Sequence, residues 1–185
     1  MQGMRTNKST MRMIRRAEQE LRAEQEKQAN MICPAFFVTM WGHGWREKRI
    51  MDRINSAVDA MREGTKSGMS IFETLEQETG IEISLDGVRS YHEFAYLSGD
   101  TQLKPIDDMQ YIYMLRREKM WIPSILIAGL FLALHRMDGW GPERLDRLMI
   151  SLNEIRMNLG ENPEKYAKLM REKTGYIPAD MWKEE

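Results

Sequence analysis

The sequence predicts an all-α protein: two tandem three-helix repeats packed into one domain, with an N-terminal helical arm. Three observations carry that expectation. Stretches of helix-favouring residues are separated by short Gly- or Pro-containing breaks. Apolar residues recur at helical spacing within them. The chain also aligns with itself, without a gap, at a shift of 95 residues. At 185 residues, with 42% hydrophobic and 30% charged, the chain can bury a core and is too apolar to be wholly disordered.

Ser9 to Asn30 contains no Gly or Pro and is rich in Met, Arg, Ala, Glu and Gln. Its apolar positions are sparse (Met11, Met13, Ile14, Ala17, Leu21), and beyond Leu21 it is polar nearly all round. A helix of that kind protrudes into solvent or pairs with another chain, so residues 1–30 form the expected arm and 31–185 the domain. Met31 to Trp41 is apolar and interrupted at Cys33-Pro34, with Pro34 read as the start of a short buried helix, Ala35 to Met40. Gly42-His43-Gly44 ends it. Trp45 to Glu63 carries Ile50, Ile54, Ala57, Val58 and Met61 on one face, and Gly64 to Gly68 reads as a loop. Ser70 and Glu73 form a capping box opening a helix that stops at Thr79-Gly80.

Ile81 to Asp100, running into the connector expected over 84–120, is the least regular part: Glu82 to Leu85 suits a short strand, the aromatic-rich Tyr91 to Tyr96 follows, and a helix is expected over Ile106 to Lys119. Ser124 to Leu134 is almost unbroken apolar sequence but about half the length a bilayer requires, so it reads as a central buried helix. Pro142 opens the next helix, through Leu159, and Asn162-Pro163 opens another that ends at Thr174-Gly175.

The 95-residue shift places Phe36 on Phe131, Gly44-Trp45 on Gly139-Trp140, Arg49 on Arg144, Ser56 on Ser151 and Thr79-Gly80 on Thr174-Gly175. These seven identities between 35–83 and 130–178 are about twice the roughly three expected by chance from average residue usage. Both segments read as apolar helix, Gly-Trp turn, helix with an early Arg, short helix, Thr-Gly stop.

Each Gly-Trp turn precedes a helix and is followed by arginines: Arg46 and Arg49 in the first copy, Arg144 and Arg147 in the second. A helix N-terminus favours an anion, and Trp beside Arg can stack a base while the guanidinium holds phosphate. The plainer alternative is a helix-start turn whose indole packs locally and whose arginines pair with nearby carboxylates. His43, Tyr91, His92 and Tyr96 are further candidates for lining such a site.

Little else in the sequence suggests chemistry. Net charge is −1, distributed as +3 over 1–30, −4 over 31–100 and zero over 101–185, which gives no general case for binding nucleic acid or membranes. The three histidines fit no familiar metal spacing, no nucleotide-loop or hydrolase motif occurs, and neither an enzyme nor a cofactor is expected. The single cysteine, Cys33, suits a reducing cytoplasm and, beside Pro34 in an apolar stretch, reads as buried. Met1 to Arg16 lacks the apolar core of a signal peptide. Seventeen methionines, about 9% of the chain, suit an adaptable core or a surface that moulds to partners.

Met31-Ile32-Cys33-Pro34-Ala35-Phe36-Phe37, Gly44-Trp45-Arg46-Glu47, Tyr91-His92-Glu93-Phe94-Ala95-Tyr96-Leu97 and Gly139-Trp140-Gly141-Pro142-Glu143-Arg144 give the chain a resemblance to uncharacterised small helical proteins of phages and prophages of Gram-positive bacteria. The resemblance brings no catalytic residues. It implies an accessory anti-defence role in the host cytoplasm. The expected function is non-enzymatic sequestration of a small anionic nucleotide signal at Trp45, Arg46, Arg49, Trp140, Arg144 and Arg147. The alternative is inhibition of a host defence protein through Met-rich helical faces and the arm; with either function a homo-oligomer is expected.

Overall fold

The computed structural model describes residues 8–67, 70–82 and 108–176. Among these the protein is all-helical: α1 (Lys8–Gly42), α2 (Glu47–Ser67), α3 (Ile71–Thr79), α4 (Asp108–Glu118), α5 (Ile122–Asp138), α6 (Pro142–Leu159) and α7 (Pro163–Thr174). None of them is long and apolar enough to cross a membrane.

The first correction to the sequence reading concerns Pro34. It does not begin a short helix; α1 runs unbroken through it for 35 residues. Proline inside a helix removes one hydrogen bond and crowds the preceding turn, at about 3 kcal/mol. Here Met31, Cys33, Ala35, Phe36, Phe37 and Met40 are all buried around it, so packing on both sides holds the helix together. The segment expected as an arm is therefore the first half of α1. It is not bare: Ala17 and Leu21 are buried with Ile112 and Leu115 of α4 and Ile122 of α5. The second correction is at α2, which continues through Gly64 to Ser67, where a loop was expected. The expected strand at 82–85 lies, but for Glu82, outside the described residues.

The main core joins Phe36, Phe37 and Met40 of α1 to Ile50 and Ile54 of α2, Leu75 of α3, Phe131, Leu132 and Leu134 of α5, Leu145 of α6 and Met170 of α7. α2 and α3 pack on α5, whereas α6 and α7 pack on α1. The closest approach is at Gly129 of α5, where an added Cβ would lie 2.9 Å from the carbonyl oxygen of Ala57 in α2.

The short helices end alike. The Thr79 hydroxyl donates to the carbonyl of Leu75 at 2.7 Å and accepts from the N–H of Ile81 at 3.1 Å. Thr174 does the same with Met170 and Tyr176 at 2.7 and 3.1 Å. Gly80 and Gly175 follow in the left-handed conformation, with φ of 74° and 78°, which a residue without Cβ adopts at little cost. The expected capping box at Ser70 is present in both directions, 3.2 Å from the Glu73 N–H to the Ser70 hydroxyl and 2.8 Å from the Ser70 N–H to the Glu73 carboxylate.

Candidate ligand-binding cleft

Both Gly-Trp turns have glycine at positive φ, 81° at Gly44 and 63° at Gly139. Each reverses the chain after an apolar helix and carries the following indole back against it. Trp45 and Trp140 consequently meet edge to face, with ring centroids 5.9 Å apart and planes at 80°. Trp45 is only 9% exposed. Trp140 is half-buried, and the Nδ1 of His135 lies 2.9 Å from its carbonyl oxygen.

Around this pair opens a cleft of about 790 Å³ lined by His43, Trp45, Arg49, Trp140, Arg144 and Arg147, together with Asp138, Leu148, Ile150, Ser151 and Glu154. Six of the ten sequence-derived candidates are thus brought together from residues a hundred positions apart. Arg46 is not among them: its guanidinium lies 5.2 Å from the ring centre of Trp41, outside the cleft. Tyr91, His92 and Tyr96 lie outside the described residues.

The two equivalent arginines have different surroundings. Arg49 donates from Nη2 to Oδ1 of Asp138 at 2.7 Å and lies 3.7 Å from the Trp45 ring centre. It is a paired, stacked side chain, as the plainer reading of the turn supposed. Arg53 completes the arrangement, donating to Asp138 from Nε at 2.6 Å and from Nη2 at 2.9 Å. Burial pushes the Asp138 carboxyl up, but the hydrogen bonds from Arg53 and Arg49 outweigh it and hold it below the usual aspartate range.

Arg144, the counterpart of Arg49, has no carboxylate within ion-pair distance among the described residues, and neither has Arg147, whose Nε donates to the carbonyl of Glu143 at 3.2 Å. The 95-residue correspondence explains the difference: the counterpart of Asp138 is His43. Where the first arginine meets a carboxylate, the second shares its cleft with an imidazole. Sequence reasoning missed Asp138, Arg53, Ser151 and Glu154. Aligning the residue before each Gly-Trp turn would have exposed the Asp138–His43 difference.

A second, largely apolar cleft of about 480 Å³ lies between α1, α2 and α5, with Ile54, Ala57, Met61 and Leu126 in its wall. Cys33 also lines it; burial pushes its thiol up to about 12, so it stays protonated near neutral pH. Glu78 of α3 pairs with Arg136 of α5 at 2.7 Å. Among the described residues no group of three His, Cys, Asp or Glu side chains is placed to hold a metal ion.

No protein-family model, no curated protein and no solved structure matches this chain.

Proposed function

We propose that this chain is a non-catalytic binding protein that sequesters a small anionic nucleotide at the Trp45–Trp140 cleft. The observation that carries the reading is the pair Arg144 and Arg147, exposed in a concave site with no carboxylate within ion-pair distance of either among the described residues. Two uncompensated guanidiniums suit a phosphate group, and the half-buried face of Trp140 offers a base or ribose a stacking surface. Because Arg49 is held by Asp138, the anion belongs at the second-copy end of the cleft, not symmetrically between the two.

The same reading takes residues 35–83 and 130–178 as the products of a tandem duplication. Support comes from the matching Thr-Gly stops and from the reciprocal packing, in which the short helix of each segment sits on the first helix of the other. It places the protein among accessory anti-defence proteins of phages, acting in the host cytoplasm, with the exposed Met11 and Met13 of α1 serving self-association. The direct test is incubation of the purified chain with nucleotide extract from infected cells, followed by denaturation and mass spectrometry of what is released. Recovery of a stoichiometric phosphorylated nucleoside supports sequestration; recovery of none counts against it.

One observation favours a second reading, inhibition of a host defence protein. Ile150 and Met157, seven residues apart on one face of α6, are exposed, Met157 to 87%. Apolar side chains so placed suit an adaptable protein interface. The mass-spectrometric experiment separates the two, since a protein-directed inhibitor releases no nucleotide.

A further inference from the structure

The geometry points to a ligand with a base on each side of its phosphate: a dinucleotide, with guanine as the base at Glu154. This inference rests on the reading of the cleft as a nucleotide site and adds the class of nucleotide.

Chemical groups follow a fixed order along one wall of the cleft. Trp140 lies one residue before the N-cap of α6, Gly141; Arg144 and Arg147 occupy the first two turns of the helix; Ser151 and Glu154 follow, and apart from Gly141 all of these line the same cleft. Arg147 and Glu154 are seven residues apart, so they share a helix face and lie about 10 Å from each other along its axis. The sequence of surfaces is therefore aromatic, cationic, then acceptor. A mononucleotide anchored by its phosphate on the arginines reaches Trp140 or Glu154 with its base, and leaves the other end unused. A phosphodiester in the middle, with a base to either side, uses both. The cleft volume of about 790 Å³ lies in the upper part of the usual range for small-molecule sites.

Glu154 also restricts which base sits at its end. It is exposed and has no ion-pair partner among the described residues. Its negative charge repels phosphate, confining the phosphodiester to the arginines. A carboxylate has only acceptors to offer. Guanine presents two neighbouring N–H donors on one edge and satisfies both carboxylate oxygens. Adenine and cytosine set a ring-nitrogen acceptor beside the amino group, and uracil flanks its one N–H with carbonyls; each turns a lone pair towards Glu154. Trp140 discriminates less, because every base has a face to stack.

Titration calorimetry of the full chain with GpG, ApA and guanosine monophosphate tests this. GpG should bind about tenfold or more tighter than guanosine monophosphate, the gain of a second stacked base. The monophosphate carries the greater negative charge, so charge works against that preference. GpG should also exceed ApA, and Glu154→Gln should narrow that gap by lowering GpG affinity while leaving ApA affinity unchanged or raised. Glu154 is exposed, so the variant is expected to retain its thermal midpoint. Equal affinity for GpG and the monophosphate would overturn the two-base ligand, and an undiminished GpG preference in Glu154→Gln would overturn the guanine assignment; both results leave nucleotide binding standing. Absence of heat with every nucleotide, in a chain that melts cooperatively, would overturn the nucleotide reading and this inference together.

Discussion

Asp138, the last residue of α5, accepts two hydrogen bonds from Arg53 of α2, at 2.6 and 2.9 Å, with side-chain exposures of only 4% and 11%. The bidentate pair ties the Gly-Trp turn at 139–140 to α2. Removing one partner of a buried pair leaves the other charge uncompensated and typically costs about 3–5 kcal/mol. Asp138→Ala should therefore lower unfolding free energy in urea by about that amount. Arg49→Ala should cost about 1 kcal/mol or less, because Arg49 is half exposed and Arg53 still satisfies the carboxylate. Equal losses in the two variants would show that Arg49 shares the structural role.

Acid should reveal the same pair. Asp138 titrates below the ordinary aspartate value of 3.8, for the reasons given above, and Glu78 below the ordinary glutamate value of 4.5, chiefly through its hydrogen bonds from Arg136. A carboxylate with a depressed pKa in the folded state contributes stability that is whole above its unfolded pKa and lost as pH falls through the folded one. The melting temperature should thus be level down to about pH 5 and drop below about pH 4. Asp138→Ala should begin lower and lose less over that acid range. Parallel acid profiles for the two proteins would show that this carboxyl is not linked to folding.

Gly129 sets how closely α2 approaches α5. A methyl group there would stand 2.9 Å from the backbone oxygen of Ala57 and 3.1 Å from Cγ of Met61, and the backbone atom cannot turn aside. Alanine is favoured over glycine in a helix by about 1 kcal/mol, but overpacking a tight helix contact costs about 1–3 kcal/mol. Gly129→Ala should lower the thermal midpoint, measured by circular dichroism at 222 nm, a helix band. A raised midpoint would mean that the helices separate freely at this contact.

Much of this architecture is legible locally and some of it is not. The limits of α6 and α7, the Ser70 cap and both Thr-Gly stops follow from residues within a few positions of each boundary. Pro34 misleads because its local cost is offset by burial of Phe36, Phe37 and Met40 against helices more than ninety residues away. Gly64 misleads in the same direction, weighing too little to end α2. Within the cleft, the turns and arginines are visible in the sequence, but the carboxylate that claims Arg49 is 89 residues distant. Chain position does not disclose such a pairing. Nor does it place Arg46 over Trp41 and away from the cleft.

The two Thr-Gly stops can be weighed against each other. Thr79 and Thr174 make the same two hydrogen bonds, one donated and one accepted, in equivalent places. Thr79→Val and Thr174→Val preserve side-chain shape and remove both, at about 1–2 kcal/mol each. Urea unfolding should give similar losses for the two, additive in the double variant because the sites share no partner. A loss confined to one threonine would mean that the two stops carry unequal weight despite their common geometry.

The arginines finally separate structure from ligand capture. Arg49 and Arg144 occupy equivalent positions one turn into α2 and α6, yet Arg49 is bound by Asp138 and stacked on Trp45, while Arg144 opens onto the cleft. If the anion sits on Arg144 and Arg147, removing Arg144 deprives a partly desolvated phosphate of a charge-assisted partner, at about 2–5 kcal/mol of binding. Folding should barely change, since an exposed arginine without an ion pair contributes within about 0.5 kcal/mol. Arg144→Ala should therefore abolish nucleotide retention in calorimetry with an unshifted melting temperature, whereas Arg49→Ala should retain ligand with affinity reduced no more than a few-fold. The reverse ranking would place the anion on Arg49 and require that ligand displace Asp138 from it. Loss of stability in Arg144→Ala, with no ligand recovered from the parent protein, would make both arginines structural and leave the exposed α6 face of Ile150 and Met157 as the surface to pursue.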